Sequence, residues 1–417
     1  RQTAFLRNSS IYFFPTGWYN NEVRKEVGIM REFWQELKSF FRKGDMVLLI
    51  LCLATSAFGC LVVASATNAA KFGGSTRYMF VQLFATGVGF LMYMLVSSID
   101  LNVFSERRTL FTIFNVFLLL LLIPFGTDNN TGNKSWIPIP FINIYVQPAE
   151  FCKIFYIIIM ASVMSSHQNR ISHPASVGHM LLHLALVAGI NFVVSSDLGV
   201  TLIFVAIFAG MFIAGGVKIW WTLGGLGAIA AVFPIIWTKF FSEEQKNRIL
   251  VLIMPEVIDP TGLDELWHTT QSLNSLTGGG MLGQGLFNGN RTQGGQLFAQ
   301  HTDYIFSSIG EEMGYVGCIL VMVMMLAIIG RCIWVGSKSK DYMRRMVCFG
   351  AAFAMMFQVM INIGMCIGVM PVIGLTLPLI SYGGSSIIAT YTMLGLVSGV
   401  HARPAPPSHE RYIRPPL

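Results

Sequence analysis

Charge is what this sequence has least of. Only 12% of its 417 residues are Asp, Glu, Lys or Arg, about half of the roughly 25% found in ordinary globular domains. So few solvating groups exclude a soluble surface. With 53% hydrophobic residues and a mean hydropathy of +0.60, the apolar content exceeds what a soluble core of this size needs. Period-two alternation is also missing, which excludes an outer-membrane barrel. That leaves helices, because within lipid each span must satisfy its own backbone hydrogen bonds. The seven cysteines (Cys52, Cys60, Cys152, Cys318, Cys332, Cys348, Cys366) lie in or beside apolar runs and show no CxxC spacing, so they read as small apolar fillers. A net charge of +7 in such a chain reflects basic cytoplasmic loops and not nucleic-acid binding. No cleavable signal peptide is expected, since the first long apolar run lies too far in.

What is present is a series of apolar runs close to the 20 or so residues that cross a bilayer. An all-α integral membrane protein of about ten spans is predicted: Met46–Ala66, Met79–Ser97, Leu110–Gly126, Glu150–Met164, Val177–Val194, Gly199–Gly215, Trp220–Trp237, Tyr315–Val335, Met346–Met370 and Ser385–His401. Arg42 and Lys43 precede the first span. Arg107 and Arg108 follow the second, Arg170 the fourth and Lys218 the sixth. Lys338, Lys340, Arg344 and Arg345 follow the eighth, and Arg403, Arg411 and Arg414 the tenth. A ten-span count puts them all on one side, the cytoplasm, together with both termini. The expected organisation is a cytoplasmic tail over 1–45, a membrane domain over 46–401 and a second cytoplasmic tail over 402–417. In the first tail, Glu22–Phe41 has the spacing of an amphipathic surface helix, although a solvated tail fits equally well. Between spans seven and eight, Thr238–Phe306 forms a large outer loop.

The polar residues of interest fall on the outer side: Trp136, Glu150, Asp197, Arg248 and Asp303. A transporter is expected to keep such groups near mid-membrane on broken helices. Glu150 and Lys153 share a helix face behind Pro148, either as a cap with an ion pair or as a site. Asp197 suits a helix N-cap, and Arg248 has the forked donors that grip phosphate or is a solvated loop charge. Thr277–Gly285 is glycine-rich without the GK[ST] of a P-loop; it lets backbone bend close to a substrate or re-enter the bilayer surface. Gly and Pro recur through Pro371, Gly374, Pro378 and Ser381–Ser386, marking a broken segment that lines protein or water. His301-Thr302-Asp303 stands where the outer loop meets span eight. No serine or cysteine elbow and no HExxH accompanies it, so hydrolysis by a triad is not indicated. A carboxylate at such a low-dielectric boundary has a raised pKa, which suits a general base; helix capping by Thr302 or Asp303 is the alternative.

Taken together, Lys134–Ile137, Gln147–Lys153, Asp197–Gly199, Arg248–Pro260 with Gln271–Gly285, His301–Gly317 and Asn362–Ser386 resemble the SEDS family (shape, elongation, division and sporulation), which includes RodA, FtsW and SpoVE. The resemblance runs from the first span to the last. Its most specific parts are His301–Phe306 with Gly310–Gly314, and Leu377–Ser386. Two departures stand out: Ser195-Ser196 replaces the usual Gln-Pro before Asp197, and Phe298-Ala299-Gln300 replaces the usual residues before His301. The resemblance implies a ten-helix peptidoglycan glycosyltransferase that polymerises lipid II at the outer face of the bacterial cytoplasmic membrane, paired with a class B penicillin-binding protein. It makes Asp303 the catalytic acid or base. Substrate binding falls to Trp136, Lys134, Glu150, Lys153, Asp197, Arg248, Gln271, Ser272, His301, Thr302, Ser381 and Gly383. Arg248, Lys153, Lys134 or a divalent cation such as Mg or Mn would stabilise the departing diphosphate. Within the family, Asn290–Gln296 leans towards the RodA type. The rival readings are a lipid II flippase, which needs an inward polar path, and a non-catalytic scaffold for a transpeptidase.

Overall fold

The computed structural model describes residues 40–72, 76–127, 133–139, 144–239 and 241–403. The helix expected over Glu22–Phe41 lies outside these residues except for its last two, and most of the C-terminal tail lies outside them as well. In chain order the principal helices are α1 (Met46–Ala66), α2 (Arg77–Ser97), α3 (Arg108–Leu120), α4 (Pro148–Ser166), α5 (Pro174–Ser195), α6 (Leu198–Ala214), α7 (Ile219–Lys239), α8 (Glu243–Leu250), α9 (Glu265–Gly278), α10 (Ile305–Lys338), α11 (Tyr342–Cys366) and α12 (Gly384–Ala402). Each predicted span contains one of them. Among the described residues, eight helices are long and apolar enough to cross a membrane. The two others at predicted spans are α6, with 17 residues, and α12, whose serines and threonines dilute its hydropathy. The chain is a multi-pass helical membrane protein.

The helix starts follow from local chemistry. Asp45 accepts from Leu48 N, Asp197 from Val200 N and Asp341 from Arg344 N, each at 3.0 Å. Each carboxylate satisfies an amide left free in a first turn. Pro148 and Pro174 open α4 and α5, where their missing N–H costs nothing.

α4, α11 and α12 form the centre, with α6 and α10 around them. α12 lies along α2, and glycines allow the approach: a Cβ on Gly395 would stand 2.8 Å from Tyr93 O. α7 stands at the periphery, with no residue of its apolar window buried. Its side chains face lipid.

The basic residues gather at one end. Asp45 binds Arg331, Arg108 donates to Ser166, Arg344 reaches Asp100 and Arg403 O, and Arg403 donates to Ser98 O. His301, Asp303 and Asp197 lie at the other end.

Three expectations are refined. The eighth span is preceded by a helical segment over 305–313, which a break at Gly314 (φ 67°, ψ −164°) separates from the predicted start at Tyr315. The third span, Arg108–Phe125, is continuous but for Leu121, which joins Arg108–Leu120 to Leu122–Phe125 in helical geometry. The long outer segment is folded, holding α8, α9 and short turns over Pro255–Ile258 and Asn290–Gln293. A hairpin of β1 (Ile137–Ile139) and β2 (Ile144–Val146) precedes α4.

Candidate active site

Asp303 sits just ahead of α10. Capping does not explain it: the N-cap position is Tyr304, and no side chain caps the helix. The loop between α11 and α12 instead grips the backbone on which the acid rides. Tyr382 N donates to His301 O at 2.8 Å, Ser381 Oγ to Thr302 O at 2.7 Å, and Asn362 Nδ2 to Asp303 O at 2.8 Å. The same Asn362 nitrogen donates to Leu375 O at 2.7 Å, and Ser381 Oγ also accepts from Leu377 N. Three consecutive carbonyls are therefore fixed, while the Asp303 carboxylate takes no hydrogen bond from the described residues. Gly374, at φ 67°, comes close to it: a Cβ there would stand 3.6 Å from Asp303 Oδ2. Burial pushes the Asp303 pKa up to about 6, and the Asp197 charge adds to the rise.

Asp197 comes from the start of α6, which packs on the same loop: a Cβ on Gly199 would meet Ile373 O at 2.8 Å. Its Oδ2 accepts from Ser135 Oγ at 3.0 Å and from Gln147 Nε2 at 3.4 Å. Burial raises its pKa, and the nearby Glu150 charge adds to this against the opposing hydrogen bonds. Glu150 and Lys153 pair at 2.9 Å, and each side chain is only 5% exposed. Lys153 is thus engaged inside the protein, supporting the wall behind Asp197. The other two cations of the expected set, Arg248 and Lys134, lie on separate segments. Lys134 is exposed beside Ser135. Trp136 is half-buried and joined to Thr127 by a two-bond bridge. Arg248 is half-buried on α8, and its charge acts on Tyr304 and His268. Gln245, one turn earlier, donates to Ser196 O.

His301 and Asp303 do not form a charged pair. The imidazole sits among Phe72, Tyr78 and Tyr382 at ring distances of 5.0, 5.2 and 5.5 Å. Burial, then the Lys71 charge, pushes its pKa down to about 4, so it is neutral at pH 7. Thr302 turns its hydroxyl back to Ala299 O. Ser272 is fully buried between Ser307 Oγ and Cys366 O, and Gln271 accepts from Arg291. Both hold the loop together and are turned away from solvent. Gly383 is extended and leads into α12.

The glycine-rich stretch also packs internally. Gln284 N and Gly285 N donate to Glu311 O and Glu312 O, and Tyr315 N donates to Gly280 O. A Cβ on Gly279 would lie 1.9 Å from Gly310 O. These glycines fit backbone against the break in α10. Glu311 accepts from Arg291 N, Thr292 N and Thr292 Oγ1, and Glu312 from Ser65 and Gln293. Asn362, Ser135 and Gln147 are the site residues that sequence reasoning passed over; a lone amide inside an apolar helix was the available signal for Asn362. Ser196 (φ 56°) occupies a left-handed conformation that proline cannot adopt, which ties the Ser195-Ser196 departure to a local change of backbone. Among the described residues, no group of three or more His, Cys, Asp or Glu is placed to hold a metal ion. Mg is commonly held by one or two carboxylates together with substrate phosphates, and Asp303 and Asp197, close enough for their charges to interact, are the acids that would supply them here.

Known proteins are similar to this chain in sequence and fold. The family described as cell cycle protein, covering FtsW, RodA and SpoVE, matches residues 45–405. An Escherichia coli K12 protein named peptidoglycan glycosyltransferase MrdB is 29% identical over 361 residues, covering 86% of this chain and 93% of that one. A Trichlorobacter lovleyi protein named probable peptidoglycan glycosyltransferase FtsW is 30% identical over 366 residues, with coverage of 86% and 93%. A chain of a solved peptidoglycan synthase complex, described as coordinating polymerization and crosslinking, has a TM-score of 0.71 at 27% identity over 86% of this chain and 97% of its own length. The rod shape determining protein RodA of Thermus thermophilus shares the fold, with a TM-score of 0.63 at 24% identity over 86% and 96%.

Proposed function

The chain belongs to the cell cycle protein family of FtsW, RodA and SpoVE, and on that premise we propose that it is a peptidoglycan glycosyltransferase. It polymerises lipid II at the outer face of the bacterial cytoplasmic membrane, beside a class B penicillin-binding protein. One observation carries the reading: Asp303 has a backbone held at three carbonyls and a carboxylate that no described residue occupies.

In this reaction the 4-hydroxyl of an acceptor sugar attacks C1 of a donor sugar. Asp303 takes the hydroxyl proton as the new C1–O bond forms. The bond from C1 to the lipid diphosphate breaks through an oxocarbenium-like transition state, and the diphosphate leaves with the bonding electrons. A carboxylate with a pKa near 6 is ionised at pH 7 and is still a better base than an ordinary one. Arg248, on the outer segment, would supply forked donors to the departing diphosphate. Supporting the partner assignment is the family resemblance to a synthase chain that works with a crosslinking enzyme.

The test is glycan-chain formation from purified lipid II, with and without the transpeptidase, comparing native protein with Asp303→Asn. Polymer from the native pair, lost in a variant that still folds and binds its partner, supports the assignment. Undiminished polymer from Asp303→Asn removes this acid from the chemistry. No polymer from the native pair moves the reading to a lipid flippase or a scaffold.

A further inference from the structure

The end of the bundle opposite Asp303 holds a cavity that glycan transfer does not use. It measures about 250 Å³ and is lined by Phe40, Lys43, Gly44, Ser97, Ser98 and Arg403, where the start of α1 meets the ends of α2 and α12. Arg403 is fixed on both sides: its Nη2 donates to Ser98 O, and its own carbonyl accepts from Arg344. Its Nη1 is buried and has no acceptor among the described residues. Capping the end of α2 accounts for Nη2 alone. Buried charged donors without acceptors are costly, so this one indicates a missing anion. Lys43 adds a second, exposed cation on the same wall. The neighbouring acids do not neutralise the pair, because Asp45 is held by Arg331 at 2.9 Å and Asp100 faces Arg344 at 3.3 Å.

The serines add a further requirement. Ser97 Oγ and Ser98 Oγ both donate to Met94 O, at 2.8 and 3.2 Å. Their protons are spent, so they offer lone pairs to a ligand that donates a hydroxyl. Just outside, Phe41 and Leu95 are exposed apolar side chains, 52% and 61% accessible, suited to acyl chains. We propose that this cavity binds the headgroup of an anionic phospholipid of the phosphatidylglycerol type, with its phosphate on Lys43 and Arg403 and its glycerol hydroxyls on Ser97 and Ser98. The basic end of the bundle is where such lipids meet a membrane protein on the cytoplasmic side.

The experiment uses the full chain in neutral detergent, offered phosphatidylglycerol or phosphatidylethanolamine, with retained lipid counted by native mass spectrometry. Native protein is expected to retain phosphatidylglycerol selectively. Lys43→Gln and Arg403→Gln should each weaken retention about five-fold, the size of one basic contact with an anionic lipid surface. Arg403→Gln also loses its bond to Ser98, so Lys43→Gln, an exposed position, decides the matter if that variant is unstable. Equal retention of the two lipids, or unchanged retention in Lys43→Gln, overturns the proposal. Displacement of the lipid by millimolar inorganic phosphate overturns the lipid assignment and leaves a simple phosphate site.

Discussion

Asp303 makes opposite contributions to stability and to rate, and one substitution separates them. Its pKa rises from 3.8 to about 6. That rise of about two units corresponds to about 3 kcal/mol against the ionised form, at 1.36 kcal/mol per unit. The residue is partly exposed, so solvent screening reduces the expected effect to about 1–2 kcal/mol. The sign follows from proton counts. Between pH 3.8 and about 6 the folded chain holds a proton that the unfolded chain has lost, so stability falls as pH rises through this window and is flat above it. Asp303→Asn removes the ionised group, and at pH 7.5 the variant should melt higher, by roughly 1–4 °C. Its polymerisation rate should fall by about 10²–10⁴, the usual loss when a general base is removed. Native rate should drop about tenfold per pH unit below 6 and level off above 7. Thermal melts in detergent and lipid II polymerisation, both followed against pH, measure the two effects. A variant that melts lower, or a native rate unchanged between roughly pH 5 and 8, would refute this account of the acid.

The supports of the site give three further expectations. Glu150→Gln leaves the Lys153 ammonium buried and unpaired, which should cost about 3–5 kcal/mol, and Glu150→Gln with Lys153→Met should recover much of it in a double-mutant cycle of melting. Asn362→Ala frees two carbonyls and should cost about 2–3 kcal/mol; if it acts by positioning Asp303, kcat for polymerisation should fall at least about tenfold with KM little changed. Gly314→Ala places a methyl 2.4 Å from Gly283 N at a backbone conformation nearly confined to glycine, and should lower stability by about 3 kcal/mol or more in the same melts.

Much of this molecule is legible along the chain. Apolar runs located the spans because backbone satisfaction in lipid leaves few alternatives, and the grouping of Arg108, Arg344 and Arg403 at one end follows the charge pattern of the loops. Asp303 was legible as an acid at a span boundary. The glycine-rich stretch was not, because its partner is the backbone of α10, some thirty residues further on, and sequence spacing does not show such contacts. The start of α10 was missed for a related reason: Glu311 and Glu312 look like the end of a polar loop. In the fold their carboxylates are satisfied by Thr292, Arg291, Ser65 and Gln293, which makes a charged helical segment acceptable. Lys153 read as a phosphate ligand, but only three dimensions show how completely Glu150 engages it.

The acids of this chain divide by what holds them. Asp45 is met by Arg331, Glu150 by Lys153, Glu311 by the Asn290–Gln293 turn, and Glu312 by Ser65 and Gln293. Each has partners that offset its loss of water. The Asp303 carboxylate has no such partner among the described residues, and its backbone is gripped by the loop between α11 and α12. Packing alone would favour an amide or an apolar residue there, since burial and the Asp197 charge both oppose ionisation. A carboxylate held in place, raised in pKa and left without a partner is costly to folding but well suited to taking a proton. The hydroxyl of an acceptor sugar supplies one. The fold thus concentrates its uncompensated electrostatic cost on the atom pair that the reaction needs, while Asn362, Ser381 and Tyr382 restrict where that pair can stand.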